Sequence, residues 1–219
     1  MINLPEPWLY FCICIAITLL STWLMARQGN SFYTLDPLRR KFSMLEMEFP
    51  AKEKDFTELI NGIYMLPDES KKIVRALKIQ LLLDYFLFIP ATYGAIFIMC
   101  MEISRILDNP ISYLFIGLAW SQCLCFLLDY IENTFFWCII NRPEHLKDRE
   151  NLFFKMIQVL ELMKWGFALI AGIGGLSAIV FFWLSGHYRH SSLKFVLLFG
   201  IEIFAFLLLS MLSKRAEKK

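Results

Sequence analysis

"ISYLFIGLAWSQCLCFLLDYIENTFFWCII", residues 111–140, contains no Lys or Arg and only two acids, Asp129 and Glu132. As a helix rising 1.5 Å per residue it is about 45 Å long. The hydrocarbon core of a bilayer is only ~30 Å thick. Residues 111–140 therefore read as a membrane span with length to spare, and both acids fall towards its second end. A charged group inside hydrocarbon costs about 2.5–3.5 kcal/mol on insertion scales and turns towards protein or water. Where these two acids point is the question that the rest of the chain must answer.

The 219 residues are 58% hydrophobic and 19% charged, against roughly 45–50% and 25% in soluble domains. The apolar excess lies in five blocks: 7–26, 80–101, 111–132, 163–184 and 195–212. Each is long enough to span the hydrocarbon. The expected fold is all-α, an integral membrane helical bundle of about five transmembrane helices with short cytoplasmic amphipathic helices. Residues 1–219 form one membrane domain, with 27–79 a cytoplasmic helical insertion between the first two spans. Residues 1–6 lack the basic stretch of a signal peptide, and Arg27 follows the first apolar block directly, so that block is expected to be a retained span.

Orientation follows from the basic residues outside the spans. Ten lie in 27–79, four in 141–156 and four in the C-terminal tail, while the alternate loops hold one (Arg105) and two (Arg189, Lys194). This bias alternates correctly through all five spans and places the N-terminus outside and the C-terminus in the cytoplasm. No basic patch is interleaved with aromatics, so a nucleic-acid partner is excluded.

Within 27–79, Asp36-Pro37 reads as an N-cap and first helical position, predicting a helix to about Phe49 with Leu38, Phe42, Leu45 and Phe49 on one stripe. "AKEKDFTELINGIYML" (51–66) predicts a second, with Phe56, Leu59, Ile60, Ile63 and Tyr64 on its apolar face. A third should begin after Pro67 and run unbroken into the second span. So short a segment makes a poor core alone, so these helices are expected to lie on the bilayer or cap the bundle. Lys71, Lys72, Arg75 and Lys78 form a basic approach to the second span. They are positioned either as topological anchors or for contact with anionic lipid headgroups.

The alternating topology brings Asp84, then Asp129, Glu132 and Asn133, then Glu161 and Lys164, to the cytoplasmic ends of spans two, three and four. Spacings of three and four put Asp129, Glu132 and Asn133 on one helical face, continued by Cys125, Gln122 and Ser121. Gln158, Glu161, Trp165, Ala168, Gly172 and Gly175 are the matching face of span four. Small residues at four-residue spacing let membrane helices approach closely. The cluster carries a formal charge of −3, which invites a proton, a hard cation or further basic partners. Pro90 removes a helical hydrogen bond and frees the Phe86 carbonyl; Tyr85 and Tyr93 are candidate donors to it or to the acids. Glu202, within span five, is expected to pair with Gln122 or with a neighbouring subunit.

No cofactor is evident apart from the prospect of a hard cation at the carboxylates. The six cysteines fall in apolar segments without a C-x-x-C pattern and read as reduced packing residues. His145, His187 and His190 lie in loops, and no zinc or serine-hydrolase motif is present.

The combination "FSMLEMEF" (42–49), "LDYFLFIPATYG" (83–94) and "LDYIEN" (128–133) resembles a pattern shared by uncharacterised small bacterial polytopic membrane proteins. The resemblance covers roughly residues 42–141 and implies a bacterial inner-membrane setting. Three functions remain open: proton or cation handling, alone or within a membrane assembly; an enzyme acting on lipid headgroups; and an oligomerising membrane effector or scaffold. The acid cluster itself reads as a structural ion-pair network, a functional site, or a surface among the headgroups.

Overall fold

A computed structural model describes residues 6–36, 38–50, 52–66, 68–108, 110–143, 150–187 and 193–216. Five helical stretches are long and apolar enough to cross a membrane: Pro7–Gly29, Ser70–Ser104, Ile111–Asn141, Gln158–Leu184 and Leu193–Ser213. They coincide with the five apolar blocks of the sequence. The first is helix α1 (Pro7–Gly29). The second comprises α4 (Ser70–Leu83), a π-helical turn (Asp84–Phe88) and α5 (Ile89–Ser104). The others lie in α6 (Ile111–Asn141), α7 (Glu150–Leu184) and α8 (Leu193–Ala216). Between α1 and α4 come strands β1 (Tyr33–Asp36) and β2 (Leu38–Lys41), then α2 (Met44–Glu48) and α3 (Glu53–Tyr64). Apart from the one hairpin, the described residues are all-helical in class.

The hairpin overturns the helix expected from Asp36-Pro37. β1 and β2 pair antiparallel, with Thr34 opposite Arg40, and Leu38, Leu45 and Phe49 of the expected stripe are exposed. Thr34 explains the outcome: its buried hydroxyl donates to the Leu59 carbonyl of α3 at 2.9 Å. Beside it, Gly62 leaves the backbone of β1 room to lie directly on α3, since a Cβ there would stand 2.2 Å from Thr34 Oγ1. The helix starts instead at Ser43, whose hydroxyl accepts from the Glu46 N–H at 3.3 Å while Glu46 accepts from the Ser43 N–H at 3.1 Å. This Ser-x-x-Glu capping box is a sharper start signal than Asp-Pro.

Contacts divide the chain into two compact units. One holds residues 24–86 and 127–164. Its core joins Phe42, Met47, Phe56, Leu59, Ile60 and Ile63 to Ile73, Leu77 and Leu81 of α4 and to Phe136, Ile139 and Ile140 of α6. The segment too small to bury its own apolar faces thus shares a core with the ends of two long helices. The Tyr64 hydroxyl donates to the Ile140 carbonyl, so Tyr64 is held through its polar tip. The second unit holds residues 87–126 with the chain before residue 24 and after 164. There Phe11, Cys12, Ala95, Met99, Cys100, Phe115, Ala119, Ala171 and Phe182 form the core.

In this second unit the small-residue face of span four is rotated from expectation. Ala171 and Gly175 are buried, and a Cβ on Gly175 would meet Met99 Cε at 2.4 Å. Trp165 faces outward, and nothing lies within 4 Å of a Cβ on Gly172. Consecutive helical residues point about 100° apart, so burial of Ala171 turns Gly172 off the packed line.

Candidate functional site

The first unit contains all six polar residues singled out from the sequence, and their arrangement follows from helix geometry. Glu161 and Lys164 are three apart on α7, so their side chains project together; Lys164 Nζ donates to Glu161 Oε1 at 2.9 Å. The same ammonium pairs with Asp129 and Glu132, one turn apart on the facing side of α6. Lys164 therefore sits at the centre of three carboxylates, where the sequence offered it one. Glu161 is 1% exposed and Lys164 4%. Glu161 spends one oxygen on Lys164; its other, Oε2, is buried and finds no hydrogen-bond partner among the described residues.

Asn133, one residue beyond Glu132, donates its amide to Asp84 Oδ2. Asp84 opens the π-helical turn, just ahead of the position where Pro90 removes an N–H from the ladder. Widened turns of this kind occur often at functional sites. Here the turn is held by two tyrosines. Tyr85 donates to the Tyr130 carbonyl at 3.1 Å, Tyr130 donates back to the Tyr85 carbonyl at 3.0 Å, and their rings meet edge to face at 4.8 Å. Tyr85 also shares a 2.5 Å hydrogen bond with Thr134. The tyrosine expected to serve the acids instead locks the π turn to α6 and so fixes Asp84 against Asn133. Tyr93 is buried in α5.

One member of the site was missed. Glu48, the last residue of α2, is partly buried. Burial, then the Glu161 carboxylate, pushes the Glu48 carboxyl up to about 8, against the opposing pull of Lys164. The placement of α2 is set by Gln158, which donates to the Pro50 carbonyl at 3.3 Å from one turn before Glu161. The available signal was modest: in "FSMLEMEF" the capping box assigns Glu46 to the helix start, leaving Glu48 without a local role.

Other expected groups lie apart. Ser121 and Gln122 turn back on their own helix, bonding the Leu118 carbonyl at 2.8 and 3.0 Å. Glu202 Oε2 is buried without a hydrogen-bond partner among the described residues, and no bond joins it to Gln122 there. Lys71, Lys72 and Arg75 are exposed on α4. Lys78 differs: its ammonium donates to Asn141 Oδ1 at 2.5 Å and lies 5.7 Å from the Trp137 ring centre. It is committed to the C-terminal end of α6, where a cation is favoured. Cys12, Cys100 and Cys125 are buried as packing residues, whereas Cys123 and Cys138 face outward. His187 shares a 2.9 Å hydrogen bond with Ser185; His145 and His190 lie outside the described residues. Among the described residues no three His, Cys, Asp or Glu side chains are grouped to hold a metal ion.

The result is an arrangement in which three carboxylates, from Asp129, Glu132 and Glu161, pair with one ammonium, and Asn133 holds a fourth, Asp84, from the π turn. No family model, curated protein or solved structure matches the chain.

Proposed function

We propose that the chain is a multi-pass protein of the bacterial inner membrane, with its N-terminus outside and its C-terminus cytoplasmic, that handles protons at the Lys164 cluster. The observation that carries this reading is the buried excess of carboxylate over ammonium, with Glu161 Oε2 lacking a donor. Like charges crowded away from water are relieved by taking up a proton, and intramembrane acids commonly mark proton paths. Lys164 already occupies the centre of the acids, which favours protons over a hard metal cation as the exchanged species. Exposed Lys71, Lys72 and Arg75 are suited to anionic headgroups at the cytoplasmic surface.

The test is proton flux into liposomes reconstituted with the purified protein and loaded with a pH-sensitive dye, under a potassium-valinomycin potential. The wild type is expected to acidify or alkalinise the lumen according to the sign of the potential, and Asp129→Asn to abolish the flux while keeping the fold. Wild-type liposomes no leakier than empty ones would overturn the reading.

A second reading is a scaffold or a subunit of a membrane assembly, in which Glu202, whose Oε2 has no hydrogen-bond partner among the described residues, meets a neighbouring subunit. It is favoured by the Tyr85–Tyr130 clasp, a reciprocal lock whose purpose is rigidity. Under it, Asp129→Asn and Lys164→Met would change stability and assembly and leave no proton flux to lose.

A further inference from the structure

We propose that α2 is an interfacial anchor, with Leu45 and Phe49 seated among the lipid acyl chains beside span four. This rests on the reading of α7 as a membrane span and is independent of proton handling. α2 carries apolar side chains on two opposite sides. The Phe49 N–H donates to the Leu45 carbonyl at 2.8 Å, which sets these two residues one turn apart on a single side. Leu45 is 58% and Phe49 47% exposed. Met47, about 200° round the helix from Leu45, is 1% exposed and belongs to the core. On the flank between them, Glu46 is already committed: it accepts from the Ser43 N–H at 3.1 Å and pairs with Arg40 at 2.6 Å. A helix apolar on both sides suits an apolar environment on both, and only the Met47 side meets the core of the described residues.

What covers the other side follows from where α2 ends. Gln158 donates to the Pro50 carbonyl at 3.3 Å. The residue after Phe49 is thereby tied to the first residue of the apolar run Gln158–Leu184. That run has 27 residues, about 40 Å of helix, against a hydrocarbon core of ~30 Å. Its first turn therefore reaches the boundary between headgroups and acyl chains, the depth at which interfacial helices bury an apolar face. Val159 and Leu162, at this end of the run, are 56% and 74% exposed, which in a span is a lipid-facing surface. Phe49, adjacent to Pro50, and Leu45, one turn before it, add exposed apolar side chains at that level from a second element of the same compact unit. In the proposed topology the leaflet concerned is the cytoplasmic one.

The test replaces Phe49, and in a separate variant Leu162, by the photoreactive residue p-benzoylphenylalanine. Each whole chain is reconstituted into phosphatidylethanolamine–phosphatidylglycerol liposomes and irradiated, and mass spectrometry identifies what the probe has bonded. Phospholipid adducts are expected from both positions. The same probe at Leu45 repeats the measurement where the Phe49 variant fails to fold. Lipid adducts at Leu162, with the probe on α2 left unmodified or joined to protein, would overturn the anchor and leave the span intact. Adduct joined to a second copy or to another protein would show that protein, not lipid, covers this side of α2. Loss of the lipid adduct at Leu162 would overturn the span reading of α7 and the anchor with it.

Discussion

Lys164 and Glu161 pair at 2.9 Å within one turn of α7, and both are almost fully buried. The pair is not closed, because Asp129 and Glu132 bind the same ammonium. Removing one partner of a buried ion pair costs about 3–5 kcal/mol, because the other charge is left uncompensated. Lys164→Met should therefore destabilise the protein strongly. The double change Glu161→Gln with Lys164→Met should recover only part of the loss, since Asp129 and Glu132 still face each other. Thermal melts in detergent check this; full recovery in the double variant would mean that Asp129 and Glu132 are solvated.

Glu48 makes stability depend on pH with a definite sign. Its carboxyl rises from an ordinary 4.5 to about 8 in the folded chain, so between these values the folded state binds more protons than the unfolded one. Stability from this group is fully present below about pH 4.5 and is lost as pH rises through about 8. Glu48→Gln should flatten the decline across that window and raise the melting temperature at pH 9 relative to the wild type. Melting curves at pH 5, 7 and 9 read the effect; parallel curves for both proteins would show Glu48 to be fully hydrated.

Gly62→Ala should separate the hairpin from α3. The added Cβ would lie 2.8 and 2.9 Å from the Leu35 carbonyl oxygen and amide nitrogen, backbone atoms that cannot rotate away. A cost of about 1–3 kcal/mol is usual for such overpacking. Gly172→Ala, with open space around it, should change stability little. Chemical denaturation of the two variants makes the comparison, and equal stability would argue that the hairpin is not seated on α3.

Reporter fusions test the orientation. Fusions at Lys147 and Lys218 should report the cytoplasm and one at His187 the opposite side, as the distribution of basic residues requires. Fusions at 147 and 218 on opposite sides would remove an odd number of crossings from the proposed topology.

Much of the site was legible because two simple periodicities point to it. Alternating spans return Asp84, Asp129 and Glu161 to one end, and spacings of three and four set Glu132, Asn133 and Lys164 beside them. Lys164's three-way role was hidden, because spacing along α7 identifies Glu161 but not which residues of α6 face it. Lys78 looked like a headgroup contact because its Asn141 partner is 63 residues away in the chain. The Asp36-Pro37 signal misled because the hairpin depends on Thr34 and Gly62 meeting across a further stretch of chain.

By itself the sequence determined the five apolar helices and the acids that share a face. These are consequences of hydropathy and helical repeat, which act over neighbouring residues. Only the tertiary structure decided that Asn133 meets Asp84, that Tyr85 clasps Tyr130 and that one lysine serves three carboxylates. Those outcomes depend on how helices distant in sequence are placed side by side, where a rotation of one residue, about 100°, exchanges Lys164 for Trp165.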